Sequence, residues 1–112
     1  MTDWHDRAAR HQTLVRDANE RISTKSVTAT QPDSTDHFSC ECDDPACGEM
    51  VSLTRSEYES VRTSPTRFLI VVDHEDPQVE QLITENARFA IVETLPGKAS
   101  RIALRSDPRA TT

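Results

Sequence analysis

The sequence predicts a small α+β fold, and three observations carry that prediction. Apolar residues recur at spacings of four and three through the first 23 positions, with neither Gly nor Pro to interrupt them. From His37 on, short β-branched runs alternate with helix-start signals. All three cysteines, Cys40, Cys42 and Cys47, fall within eight residues. With 112 residues, 35% of them hydrophobic, there is room for one small domain with a thin core. A metal held by the cysteines would supply stability that such a core lacks. The expected architecture is a zinc-stapled domain with a short antiparallel sheet, two short helices and a leading amphipathic helix.

Residues 3–23 read as that leading helix, within a segment 1–24. Its stripe is Trp4, Ala8, His11, Val15, Ala18 and Ile22, widened by Leu14. The helix is expected to lie on the domain, or else to form a short coiled coil. Residues 25–36 are mostly Ser, Thr, Asp and Gln with one Pro, a polar linker by composition. The compact domain follows at 37–106, and 107–112 reads as a disordered tail.

Within the domain, Phe38, Cys40 and Cys42 alternate as in a strand, and Val51 and Leu53 do so after the cysteine turn, which predicts a hairpin. Thr54 and Glu57 form a capping box that opens a helix through Tyr58 and Val61, ending before Pro65. Phe68 to Val72 is the best buried strand. Asp76, with Pro77 after it, predicts a second short helix with Val79, Leu82 and Ile83 inward. Phe89 to Leu95 predicts a strand, Pro96-Gly97 a type II turn, and Ile102 with Leu104 an edge strand. The core order is thus β-α-β-α-β-β.

Two residues apart on a strand, Cys40 and Cys42 face the same side, with Cα atoms about 6.5 Å apart. Tetrahedral zinc needs sulfurs about 3.8 Å apart, a gap that rotamers close. Pro45 turns the chain so that Cys47 returns, and Gly48 offers positive-φ freedom there. A fourth ligand is required. His5 and His11 lie on the leading helix, His37 abuts the linker, and His74 follows directly on the apolar strand. A histidine at the mouth of a buried strand is rigidly placed, so His74 is favoured over His37. Charge agrees: the acidic residues between Lys25 and Arg55, and again between Arg67 and Arg88, flank the cysteines and His74 without a basic residue among them. Bringing them together is easier around a cation.

The same acidic neighbours, Glu41, Asp43, Asp44 and Glu49, oppose thiolate formation. A thiol-based redox sensor using Cys40, Cys42 and Cys47 is therefore the alternative reading, not the first. An enzyme is not expected. A Cys3His set leaves zinc no open position, and His74-Glu75 does not continue into H-E-x-x-H. The deaminase P-C-x-x-C pair is absent, and two glycines cannot build a phosphate loop. The formal net charge of -6, with no dense basic patch, disfavours nucleic acid. No apolar run spans a bilayer, and Met1 to Arg10 lacks a signal-peptide pattern, so a cytoplasmic location is expected, where thiols stay reduced. The expected function is that of an intracellular adaptor or regulator with structural zinc. Its partner would be a protein, or a second copy, engaged through the leading helix.

Around these residues the chain resembles an uncharacterised family of small actinobacterial proteins. The resemblance covers about residues 18–95. It rests on Ala18-Asn19-Glu20-Arg21-Ile22, Phe38-x-Cys40-x-Cys42, Cys47, Leu53-Thr54-x-x-Glu57-Tyr58-Glu59-x-Val61-Arg62, Pro65-x-Arg67-Phe68 and His74-Glu75. It implies His74 as the fourth ligand and assigns no activity. In the family's pattern a Pro-Gly type turn precedes the histidine, where this chain has Val72-Asp73.

Overall fold

The structure, a computed structural model, describes residues 4–25 and 34–109. Most of the polar linker and the last three residues of the tail lie outside the described residues, as do the side chains of Trp4 and His5. In chain order the elements are α1 (Trp4–Thr24), β1 (Asp36–Ser39), β2 (Met50–Leu53), α2 (Arg55–Val61), β3 (Arg67–Ile70), β4 (Glu80–Glu85), β5 (Ala90–Thr94) and α3 (Lys98–Arg105). The class is α+β, with three helices and two short antiparallel sheets.

The hairpin forms as its alternation requires: β1 pairs with β2, Phe38 opposite Val51. The capping box closes in both directions. Thr54 Oγ1 accepts from the Glu57 amide at 3.1 Å, and Glu57 Oε1 accepts from the Thr54 amide at 2.9 Å. Two orphan donors are thereby satisfied, and α2 presents Tyr58 and Val61 inward. Tyr58 stacks on Phe38, ring centroids 4.5 Å apart. In β3, Phe68, Leu69 and Ile70 are all buried, because the three-stranded sheet β3-β5-β4 is covered on both faces at that strand. Each such side chain removed from water contributes about 1.5–3 kcal/mol.

Two expected elements change type. Asp76 does open a helical turn: its carbonyl accepts from the Val79 and Glu80 amides, and its carboxylate caps the Gln78 amide. The turn ends at Glu80, whose carboxylate reaches back to the Asp76 amide at 3.0 Å. Residues 80–85 then pair with β5 instead of continuing a helix, with a bulge between Leu82 and Thr84. Backbone pairing along the open edge of β5 outweighs the helix-start signal, and Leu82 and Ile83 finish exposed. Conversely, the residues read as an edge strand form α3, with Ile102 and Ala103 buried and Leu104 exposed. Its Ala, Leu, Lys and Arg content favours a helix, and an alternation of two residues is too short to resist it. Gly97 has φ 140° and ψ −152°, outside type II geometry, and serves as the N-cap of α3. The order after α1 is therefore β-β-α-β-β-β-α.

α1 lies on the compact part, against β1, α2 and α3, but not with the face its apolar spacing selects. The buried face is Ala8, Ala9, Gln12, Thr13, Arg16, Asn19 and Ser23, while Ala18 and Leu14 are exposed. Polar anchoring explains the rotation. Arg16 donates to the carbonyls of Pro65 (2.7 Å) and Ala103 (2.9 Å), with its guanidinium 5.0 Å above the Phe68 ring. The Asn19 side chain bonds both the Ser39 amide and the Ser39 carbonyl at 2.8 Å, as an extra strand residue would. The start of the expected tail is also anchored. Asp107 accepts from the buried Arg62, and Arg109 pairs with Glu20 and Glu59.

Candidate metal centre

The cysteine loop begins where the hairpin ladder ends. The Cys40 amide still bonds the Glu49 carbonyl at 3.0 Å, and the Glu41 amide then crosses to the Leu69 carbonyl at 2.7 Å. The chain thus leaves one sheet and borders the other. A turn follows at Asp44, whose carbonyl accepts from the Cys47 amide and whose carboxylate accepts from the Ala46 amide. Gly48 does not adopt positive φ. The left-handed residue is Asp73, at φ 74°, directly before His74.

Cys40, Cys42, Cys47 and His74 come together, their ligand atoms all within 4.8 Å of one another, as a group able to hold a metal ion. His74 Nδ1 lies 3.6 Å from Cys40 Sγ and 3.7 Å from Cys47 Sγ. Its other nitrogen, Nε2, is 2.9 Å from Glu49 Oε2, so a carboxylate fixes the ring with Nδ1 toward the sulfurs. His37 is elsewhere: exposed, with Nδ1 3.2 Å from Ser52 Oγ. His11, on α1, is half-buried outside the group.

Backbone amides converge on the sulfurs. Val71 donates to Cys40 Sγ at 3.2 Å, and backbone hydrogen bonds from Asp44 and Glu49 reach Cys42 and Cys47. Donors aimed at sulfur favour thiolates. Without a cation the sulfurs compete. The hydrogen bond from Cys42 holds Cys40 below the usual thiol range, the same bond pushes Cys42 up, and burial pushes Cys47 up. A bound cation relieves that competition by neutralising all three.

Of the acidic neighbours, Asp44 and Glu49 are exposed and Asp43 is half-buried. Burial and a hydrogen bond with Asp76 push the Asp43 carboxyl up to about 7. Glu41 behaves otherwise. Grouped in the sequence with the acidic neighbours of the cysteines, it is fully buried. Oε2 accepts from Asn19 (2.8 Å) and Tyr58 (2.9 Å), Oε1 accepts from the Leu69 amide (2.9 Å), and its carbonyl accepts from Gln12 (3.0 Å). Burial raises its pKa, and those donors with nearby Arg16 oppose the rise. Strand alternation contained the signal: if Cys40 and Cys42 face the ligand side, Glu41 faces the core.

Among the described residues no helix is long and apolar enough to cross a membrane. No protein-family model, curated protein or solved structure matches the chain.

Proposed function

We propose that the chain is a non-enzymatic adaptor or regulatory protein of the cytoplasm whose Cys40, Cys42, Cys47 and His74 hold one structural zinc ion. The observation that carries this reading is the separation of His74 Nδ1 from two sulfurs, 3.6 and 3.7 Å. Zn–S near 2.3 Å and Zn–N near 2.0 Å at a tetrahedral angle require about 3.6 Å. Soft thiolates with one imidazole select zinc over hard cations. Three sulfurs and one nitrogen fill four positions and leave none for a reacting water, which supports a structural role. Purified protein should contain one zinc per chain. Cys47→Ser and His74→Ala should lose it, while His37→Ala keeps it. Full zinc in His74→Ala would overturn the ligand assignment.

A thiol switch is the second reading, favoured by three sulfurs within 4.8 Å, of which Cys47 is half-buried. Reversible disulfide formation in protein that never contained zinc would establish it instead.

A protein partner, or a second copy, engages α1 in this reading. The sequence-derived seam is not free as a unit, since Ala8 is buried and Ile22 packs on the core. The outward surface centres on Leu14, 67% exposed, with Ala18 and Arg21 also exposed. If copies associate there, Leu14→Glu should convert an oligomer to a monomer in sedimentation. A wild type that is monomeric at every concentration removes self-association.

A further inference from the structure

Glu41 sits between two ligands of the zinc site, yet its side chain belongs to the interface under α1. We propose that metal occupancy governs the docking of α1, with Glu41 as the positioning residue that couples them; this rests on the zinc reading above.

Two of the anchors that hold α1 end on the metal loop or its neck. Gln12 donates to the Glu41 carbonyl, and Asn19 binds both the Glu41 carboxylate and the Ser39 backbone. Seven residues apart, these side chains occupy one face of the helix two turns apart. Other anchors, Asp6 to Lys98, Gln12 to Glu80, Arg16 to Pro65 and Ala103, Glu20 to Arg62 and Arg109, and Ser23 to Glu59, do not touch the loop.

Beyond Glu41 the loop depends on the ion for its position. Its own hydrogen bonds lie at the neck, Cys40 to Glu49, and in the turn at Asp44, and the Glu41 amide and Cys40 Sγ are held on β3 by the Leu69 carbonyl and the Val71 amide. His74, reached from the end of β3, is the ligand that ties Cys47 to the three-stranded sheet. With the ion gone, that tie is one contact of 3.7 Å to an imidazole. Glu41 meets Asn19, Tyr58 and the Leu69 amide at 2.8 to 2.9 Å, and displacement of about 1 Å takes such bonds out of range. Release of Cys42 and Cys47 therefore shifts the chain at Glu41 and loosens Asn19 from its carboxylate, while Gln12 keeps Glu80 and the apolar core around Phe68, Leu69 and Val92 keeps its contacts.

Amide hydrogen exchange on the full chain tests this, with zinc content measured on the same samples. Stripping zinc with a chelator should raise exchange across α1 by at least about fivefold, the lower end of ordinary coupling, while β5 stays protected. Zinc-loaded Glu41→Gln should show the α1 effect alone. An amide in place of either carboxylate oxygen opposes a donor, from Asn19 and Tyr58 or from Leu69. Since linkage is reciprocal, Asn19→Ala, which leaves all four ligands intact, should weaken zinc binding by about 5- to 150-fold. The proposal is overturned if α1 and β5 lose protection together on stripping, or if α1 exchange does not respond. Unchanged zinc affinity in Asn19→Ala also overturns it, even if Glu41→Gln fails to fold. A wild type without zinc would instead show that the metal reading itself has failed, and the inference with it.

Discussion

The interior of this protein has two regions built on opposite terms. Around β3, β5 and α2 it is apolar: Phe38, Leu53, Val61, Phe68, Leu69, Ile70 and Val92 are essentially inaccessible. Under α1 it is polar: Arg16, Asn19 and Glu41 are equally inaccessible, with Gln12 and Ser23 nearly so. Burial in the first region is non-directional, and the loss of one contact is shared among neighbours. In the second, each group depends on a named partner, and a donor left alone costs its full desolvation. The apolar region sets whether the chain folds. The polar region sets where α1 sits, through bonds that neighbouring groups cannot share.

That contrast can be broken at its strongest point. Glu41→Ala strands Tyr58 and the Leu69 amide and takes one partner from Asn19, and with about 1–3 kcal/mol for each unsatisfied donor it should cost about 3–5 kcal/mol in urea unfolding of the zinc-loaded protein. Leu69→Ala, in the apolar region, should cost about 2–5 kcal/mol with zinc content unaffected. If Glu41→Ala were the milder of the two by a wide margin, the polar interface would be incidental.

A smaller effect is set by pH. Asp43 has its carboxyl raised to about 7 from an ordinary 3.8 by burial and by Asp76. The folded chain therefore keeps a proton that the unfolded chain has released, so this group lowers stability as pH rises from about 4 to about 7. Asp43→Asn removes the penalty. Its advantage over wild type should grow between about pH 4 and pH 7, level off above that, and reach about 1 kcal/mol after discount for partial exposure. A difference that is flat with pH would contradict the assignment. The smallest effect belongs to the turn before His74. Asp73 occupies φ 74°, so Asp73→Gly should stabilise by about 0.5–1 kcal/mol without changing zinc content. A loss of stability there would mean that the aspartate side chain matters more than its backbone.

Much of the site was legible in the sequence. Close spacing joined Cys40 to Cys42, although β1 ends at Ser39 and the cysteines lie beyond the expected strand, and rigid placement after an apolar strand selected His74, which lies with the cysteines while His37 bonds Ser52. The capping box at Thr54 was legible for the same reason, that its partners are three residues apart. Glu41 was missed because it was grouped with the acidic neighbours of the cysteines, although the alternation expected of Cys40 and Cys42 turned it inward. The helix expected after Asp76 was lost because its turn is local, whereas the pairing of β4 with β5 is not.

By itself, then, the sequence determined the α+β class, the hairpin, the capped helix, the central strand and the cysteine-histidine group. Apart from His74, which was selected by its place after an apolar strand, these rest on patterns within a few residues. Only the tertiary structure decided which face α1 buries, whether residues 80–85 and 98–105 are strand or helix, and what Glu41 does. Those outcomes depend on partners distant in sequence: the Asn19 side chain meets Ser39 and Glu41, and Arg16 reaches Pro65 and Ala103. A polar residue shows its type in the sequence, but whether it is buried depends on finding a partner that the fold must bring to it.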